Sequence, residues 1–296
     1  MNTVVLSGIF TGLIYGLLAL GLTLTYRVSR VVNFGYGEIG MLSFFVYLEV
    51  RTGVTREAVG LTGTDRGVVL PMVVALAFGA LLGVIVERVV ARPARGTSTL
   101  NGMLGTVAVG SLLLVVAAQR YGADSHVAVT LIGGEGVELG GLRIQPAQLL
   151  TLACAAVILP ALAALYRYTS LGVRLRATAI DPFAASLCGI DVNSVARVTW
   201  ALAGALSALS AMLIASVRPG VTIFFMSALI IRALVAALIG GLTSLWAGFA
   251  AGLTLGVFEA VVQFKSPVTG VTELTIAVGI LTLMLVRPSG LVRTQY

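Results

Sequence analysis

Residues 4–25 read VVLSGIFTGLIYGLLALGLTLT. The stretch carries no charge, and a helix of about 20 apolar residues crosses the ~30 Å hydrocarbon core of a bilayer. No Lys or Arg precedes it, it is too long for the apolar part of a signal peptide, and no small-residue cleavage site follows. It therefore reads as a retained first span. Working outward, similar runs recur near 31–50, 68–87, 99–119, 147–166, 194–217, 222–240, 244–263 and 269–286. The expected fold is an all-α membrane protein, a polytopic helical bundle of eight or nine transmembrane segments forming one domain over 1–296. The second run is the weakest. Asn33, Gly35, Gly37, Glu38 and Gly40 interrupt it, which predicts a broken or partial helix. Only a few residues separate 222–240 from 244–263, so the two are consistent with a hairpin.

Composition points the same way. Of 296 residues, 58% are hydrophobic and 10% charged, against about 25% charged in soluble domains. The mean hydropathy is +1.04. Soluble globular and disordered classes are excluded. The net charge of +7 does not imply nucleic acid, because no basic cluster or stripe with interleaved aromatics accompanies it. It fits arginine-bearing loops next to a membrane.

Arginine placement gives an orientation. With the loop 167–193 inside, the inner loops hold Arg27, Arg30, Arg88, Arg92, Arg95, Arg167, Arg174, Arg176, Arg197, Arg287 and Arg293. The outer loops hold Arg51, Arg56, Arg66, Arg120, Arg143, Arg218 and Lys265. The excess predicts a cytoplasmic C-terminus and, with nine crossings, an outer N-terminus. The polar, Gly-rich loop 120–146 reads as a short hairpin or an external cap. His126, the only histidine, is expected there as a solvated loop residue.

Two glycine stripes stand out: Gly8, Gly12 and Gly16, then Gly248, Gly252 and Gly256. At i, i+4, i+8 each lies along one helix face, where a second backbone can approach closely. They serve helix packing, or they line a moving interface. Ala201–Ser216 is similarly small and is expected to be buried among helices. Glu38, Arg232 and Glu259 fall inside apolar runs, and Glu273 lies near the start of the last one. A charge at a helix centre costs about 2.5–3.5 kcal/mol on insertion scales. Such groups face the bundle interior, pair or snorkel, and Arg232 with Glu259 is the natural pair. The alternative is that they stand on a translocation pathway.

Much chemistry is absent. A P-loop needs Gly-Lys-Ser/Thr, and the single Lys follows Phe264. One histidine excludes HExxH and multi-His metal sites, and no nucleophile elbow accompanies it. No enzyme activity, cofactor or metal is expected. A pore or permease remains, driven by an ion gradient or by another subunit.

The strongest local signal is YRYTSLGVRLRATAIDPFAASLCGIDVNSVAR, residues 166–197. Asp181 at an N-cap with Pro182 at N1 opens a short helix. Gly189 is a natural stop, and Asp191 or Asn193 caps the next helix. The result is a small-surfaced helix alone in a loop. It is an ordinary link between spans, or a docking helix for a cytoplasmic partner.

This segment resembles the EAA-type loop of ABC importer permeases through Ala184, Ala185 and Gly189. Phe183 stands where the usual Glu would be, and the usual terminal Leu-Pro is missing. The wider pattern of Leu171-Gly172, Arg176-Ala177, Asp181 and Gly189-Ile190 is similar instead to the branched-chain amino acid permease family (LivH/LivM type). Asn33-Phe34, Gly37-Glu38 and Met41-Leu42 resemble its N-terminal motif. Arg232, Ala236-Ala237, Gly240-Gly241 and Ser244 resemble its late block, with Thr243 and Trp246 in place of the usual Gly and Pro. Arg287-Pro288-Ser289-Gly290-Leu291 resembles its ending. Length and the Gly-rich first span favour the LivH side.

The resemblance implies a permease subunit of a bacterial inner-membrane ABC importer. It would pair with a second homologous permease, two cytoplasmic ATPase subunits and an extracytoplasmic solute-binding protein, embedded in lipid. Arg176, Asp181, Ala184, Ala185 and Gly189 would couple to the ATPases. Asn33, Glu38, Arg232 and Glu259 would stand along the translocation pathway. Branched-chain or other small amino acids are the implied solutes, with urea, short amides and small aromatic or carboxylate solutes as alternatives. Outside the family, a gradient-driven secondary transporter is the competing class.

Overall fold

The structure, a computed structural model, describes residues 1–53, 67–96, 98–127, 131, 136–139, 142–218, 220–242, 244–266 and isolated positions at 270, 274–275 and 277–278. In chain order the helices are α1 (Asn2–Ser29), α2 (Tyr36–Thr52), α3 (Val69–Val86), α4 (Arg92–Ala94), α5 (Thr99–Tyr121), α6 (Pro146–Tyr168), α7 (Ser170–Ile180), α8 (Pro182–Leu187), α9 (Val192–Ala215), α10 (Phe225–Ile239) and α11 (Leu245–Lys265). A π-helical turn, Glu87–Ala91, joins α3 to α4. Among the described residues, six stretches are long and apolar enough to cross a membrane, and α10 is a shorter apolar helix. The chain is a polytopic helical membrane protein. Each predicted run from 4–25 to 244–263 is a helix. The ninth, 269–286, lies outside the described residues together with Glu273 and the Arg287–Leu291 motif.

α1 is the axis of the bundle and packs against α11, α9 and α10, while α9 also packs against α3 and α2. The two glycine stripes meet each other. A Cβ added to Gly8 would lie 2.8 Å from Val257 Cα, one on Gly12 2.9 Å from Leu253 Cα, and one on Gly252 2.6 Å from Gly16 Cα. All three distances are too short for a real side chain, so α1 and α11 touch backbone to backbone along the stripes. In lipid, where apolar burial gives no driving force, such contact is what dispersion attraction requires. Gly79 and Gly204 make the same kind of contact between α3 and α9. Ala203, Ala208, Ala211 and Ala215 of α9 are buried, as the small-residue run predicted. On α5 and α6, by contrast, Leu104, Leu112, Val115 and Val157 are exposed. Apolar residues belong there when the solvent is hydrocarbon.

The second run is helical from Tyr36 onward, and its irregular part is the link 30–35. Arg30 ends α1 in the left-handed region, φ 54°. The link then climbs along α5. Thr106 Oγ1 accepts from Phe34 N at 3.1 Å and donates to Val32 O at 3.3 Å. This satisfies irregular backbone next to a membrane helix, where water cannot. α10 and α11 form the expected hairpin. Leu242 N donates to Ala237 O at 2.8 Å and Gly241 N to Leu238 O at 2.9 Å. That is a Schellman closure with Gly241 at φ 79°.

The loop 120–146 contains a hairpin, β2 (Val137–Leu139) with β3 (Leu142–Ile144). It also contains β1 (His126–Val127), paired antiparallel with β4 (Gly220–Val221). His126 is not solvated as expected, being only 8% exposed. The β1–β4 pairing turns it inward, where its Nε2 lies 2.9 Å from Tyr121 O. Its ring stands edge-on to Phe45 at 5.3 Å.

Candidate functional site

At the arginine-rich end of the bundle, α7, α8 and the first turn of α9 form one compact loop. Asp181 caps α8 as predicted, its Oδ1 accepting from Phe183 N at 2.8 Å and Ala184 N at 3.1 Å. Pro182 takes the first helical position. Gly189 adopts φ 78°. Ile190 N donates to Ala185 O at 3.1 Å and Gly189 N to Ser186 O at 3.0 Å, so the helix closes by a Schellman motif. Asp191 caps α9 through Asn193 N and Ser194 N.

Sequence reasoning missed α7. Its signal was legible: Thr169 at the N-cap, accepting from Gly172 N at 3.0 Å, and apolar or small residues at 171, 175, 178 and 179. Leu175 packs with Val28, Val195 and Ala196 in a small core of its own, with Leu171 and Ile190 against it. The loop is therefore a built platform rather than a slack connection. Arg176 donates through Nη1 to Tyr166 O, tying α7 back to the end of α6.

The five predicted coupling residues separate by role. Asp181 and Gly189 shape the two ends of α8, Arg176 braces α7, and Ala185 is buried at 4% exposure. Ala184 faces outward. The conspicuous surface groups are two that the sequence reading did not assign to coupling, Phe183 at 72% and Leu187 at 74% exposure. Four residues apart, they lie on one side of the short helix.

The four predicted pathway residues form two groups. Arg232 and Glu259 pair as expected, Nε to Oε1 at 2.9 Å. Tyr15 OH donates to the other carboxylate oxygen at 2.8 Å. Arg232 also donates through Nη1 to Ala228 O at 3.1 Å. Glu38 stands in the first turn of α2, where a carboxylate is favoured by the helix dipole. Ser227 Oγ donates to its Oε1 at 3.4 Å. Asn33 is buried in the link that precedes α2. Glu38 thus meets α10 at Ser227, and Arg232 stands five residues further along that helix, about 7.5 Å along its axis.

At the opposite end from the α7–α8 loop, α2, α3 and α5 enclose an open cleft of about 660 Å³. Leu42, Val46, Phe78 and Val116 form its apolar wall, with Glu49, Arg120 and Tyr121 on it. Arg120 is ion-paired with Glu49, and Tyr121 OH donates to Glu49 Oε2 at 2.8 Å. Among the described residues, no group of three or more His, Cys, Asp or Glu is placed to hold a metal ion.

The family described as branched-chain amino acid transport system / permease component matches residues 4–286. The chain belongs to this family. The permease is similar to the high-affinity branched-chain amino acid transport system permease protein BraD of Pseudomonas aeruginosa, 28% identical over 301 residues, 96% of this chain and 93% of that one. It is similar to the corresponding LivH protein of Escherichia coli K12, 28% identical over 264 residues, 86% and 83% of the two chains. A probable LivH permease of Methanocaldococcus jannaschii is 26% identical over 257 residues, 84% and 76%. The permease is a transport component and not an enzyme.

Proposed function

We propose that this permease forms the membrane path of an ATP-driven importer for branched-chain or other small amino acids. It pairs with a second homologous permease, two cytoplasmic ATPase subunits and an extracytoplasmic solute-binding protein. The family relationship supports the solute class, and the names of BraD and LivH agree with it. The observation that carries the reading is α8 itself. A helix of six residues, capped at both ends and packed against α7 and α9, presents Phe183 and Leu187 outward. Exposed apolar groups on a rigid polar-flanked mount are what a protein partner covers.

The arginine excess around α7 and α8 supports placing this loop in the cytoplasm, with the C-terminus on the same side. In the proposed cycle, closure of the ATPase pair displaces α8, and its platform carries the motion into α6, α9 and α1. The path then alternates between outward and inward access. Asn33, Glu38, Arg232 and Glu259 stand along it, since charges at membrane depth belong to protein interiors or wet cavities. The binding protein delivers the solute, so the membrane path needs no tight site of its own.

Affinity purification of the tagged chain from its native membrane, with mass spectrometry of what accompanies it, tests this reading. Two ATPases and a related permease are expected. A chain recovered alone, or only with copies of itself, would make ion-coupled transport the better account.

A further inference from the structure

Two arginines outside the coupling loop hold its two ends. Arg30, at the end of α1, donates through Nη2 to Ala179 O at 2.8 Å. That carbonyl is among the last of α7, two residues before the cap of α8. A cation there meets both an unsatisfied acceptor and the negative end of the helix. Arg95 does the equivalent on the other side. Its Nη1 donates to Asn193 Oδ1 at 2.7 Å, in the first turn of α9, and its Nη2 to Glu87 Oε1 at 2.5 Å. Glu87 is fully buried. It opens the π-helical turn at the end of α3, and such turns are frequent at functional sites.

The two contacts lead to different parts of the bundle. From Arg30 the chain runs directly into the link 30–35 and α2, which carry Asn33 and Glu38. The neighbouring Ser29 Oγ also accepts from Trp200 Nε1 of α9 at 2.7 Å. From Arg95 the connection passes through Glu87 into α3, which is seated on α9 at Gly79 and Gly204. Arg95 reaches Asn193 and Glu87 with two separate nitrogens of one rigid fork, whereas an ammonium would have to bring a single atom to both. Arg30 has one acceptor to reach, and a lysine can serve it.

We infer that Arg30 and Arg95 are positioning residues for energy coupling: joints that convert displacement of the α8 platform into movement of α2 and α3. The inference rests on the ATPase-coupling reading above. The experiment is uptake per ATP hydrolysed, measured on the complete complex in proteoliposomes. Arg30→Ala and Asn193→Ala should leave assembly and ATP hydrolysis near wild type. Uptake per ATP should fall at least fivefold in each, the lower end of ordinary coupling free energies. Asn193→Ala is the gentler probe, since Glu87 keeps its counter-ion. Arg30→Lys should restore coupling and Arg95→Lys should not. A structural role alone would instead give falling yield and unchanged uptake per ATP in the protein that survives. Wild-type ratios in Arg30→Ala and Asn193→Ala overturn the joints while leaving the parent reading intact. Absence of any ATPase from the unaltered complex overturns both.

Discussion

Arg232 and Glu259 meet across the α10–α11 hairpin with 2.9 Å between Nε and Oε1, their side chains 16% and 15% exposed. Tyr15 of α1 completes the carboxylate, so three helices share one ionic knot. Breaking a buried pair by removing one partner costs about 3–5 kcal/mol, because a charge is left uncompensated, whereas replacing both with apolar residues is often neutral. Arg232→Met and Glu259→Leu should therefore each lower the fraction of protein that stays monodisperse after heating in detergent. The double variant should recover most of the loss. Additive losses would mean that the two side chains do not stabilise the bundle as a pair.

The glycine seam makes a sharper demand. Gly12 lies against the Leu253 backbone with no room for a Cβ, and overpacking a tight contact costs about 1–3 kcal/mol. Gly12→Val should separate α1 from α11 and lower the melting temperature of the purified permease by several degrees. Gly53 is a useful contrast. A Cβ there meets nothing within 4 Å, so its substitution should affect only the end of α2, where φ is 72°.

Periodicity and capping made much of this architecture legible. Stripes of small residues at i, i+4, i+8 announced close packing, although nothing in one sequence said that the stripes of α1 and α11 face each other. That is a long-range fact, separated by the whole length of the chain. Asp181-Pro182 and Gly189 marked both ends of α8 because caps are local chemistry. α7 was obscured by its arginines, which read as a charged flank until the buried positions 172, 175, 178 and 179 are seen as one face. His126 was misjudged for a related reason. A lone histidine in a Gly-rich loop looks solvated, and only the β1–β4 pairing, across some ninety residues, turns it inward. Phe183 was read only as a departure from the usual Glu, and Leu187 was passed over, because the family pattern directs attention to the alanines between them.

The caps of α8 give a prediction about local stability. Asp181→Ala removes a side-chain acceptor used by two backbone amides, at a cost of about 1 kcal/mol. Gly189→Ala places a Cβ in the left-handed region, at about 1–2 kcal/mol. Asp181→Ala should speed amide exchange across 183–190 about fivefold and Gly189→Ala about fivefold to thirtyfold, at 1.4 kcal/mol per decade. Exchange in α1 and α9 should not move. Wild-type protection of the loop in both variants would contradict the capped geometry.

The surface of α8 separates folding from docking. Phe183→Asp and Leu187→Asp place charge on side chains that touch little of their own chain, so the bundle should fold normally and elute as before. Under the proposed function both should release the ATPase subunits on purification. Ala185→Asp is different, since Ala185 is buried at 4%, and it should disturb the loop itself. Retention of the ATPases by the double Phe183→Asp, Leu187→Asp variant would move the docking surface away from α8.

Orientation is testable with a residue already present. Cys188 is exposed immediately after α8, and Cys154 is partly covered within α6. In a Cys154→Ser chain, Cys188 is the sole thiol. If the α7–α8 loop is cytoplasmic, a membrane-impermeant maleimide should label Cys188 in stripped inside-out vesicles and not in intact cells. A cysteine placed at Ser125, in the loop after α5, should show the opposite pattern. Returning ATPase subunits to the vesicles should then protect Cys188, because it borders the docking helix. Labelling of Cys188 from outside intact cells would invert the topology, and with it the assignment of α8 to a cytoplasmic partner.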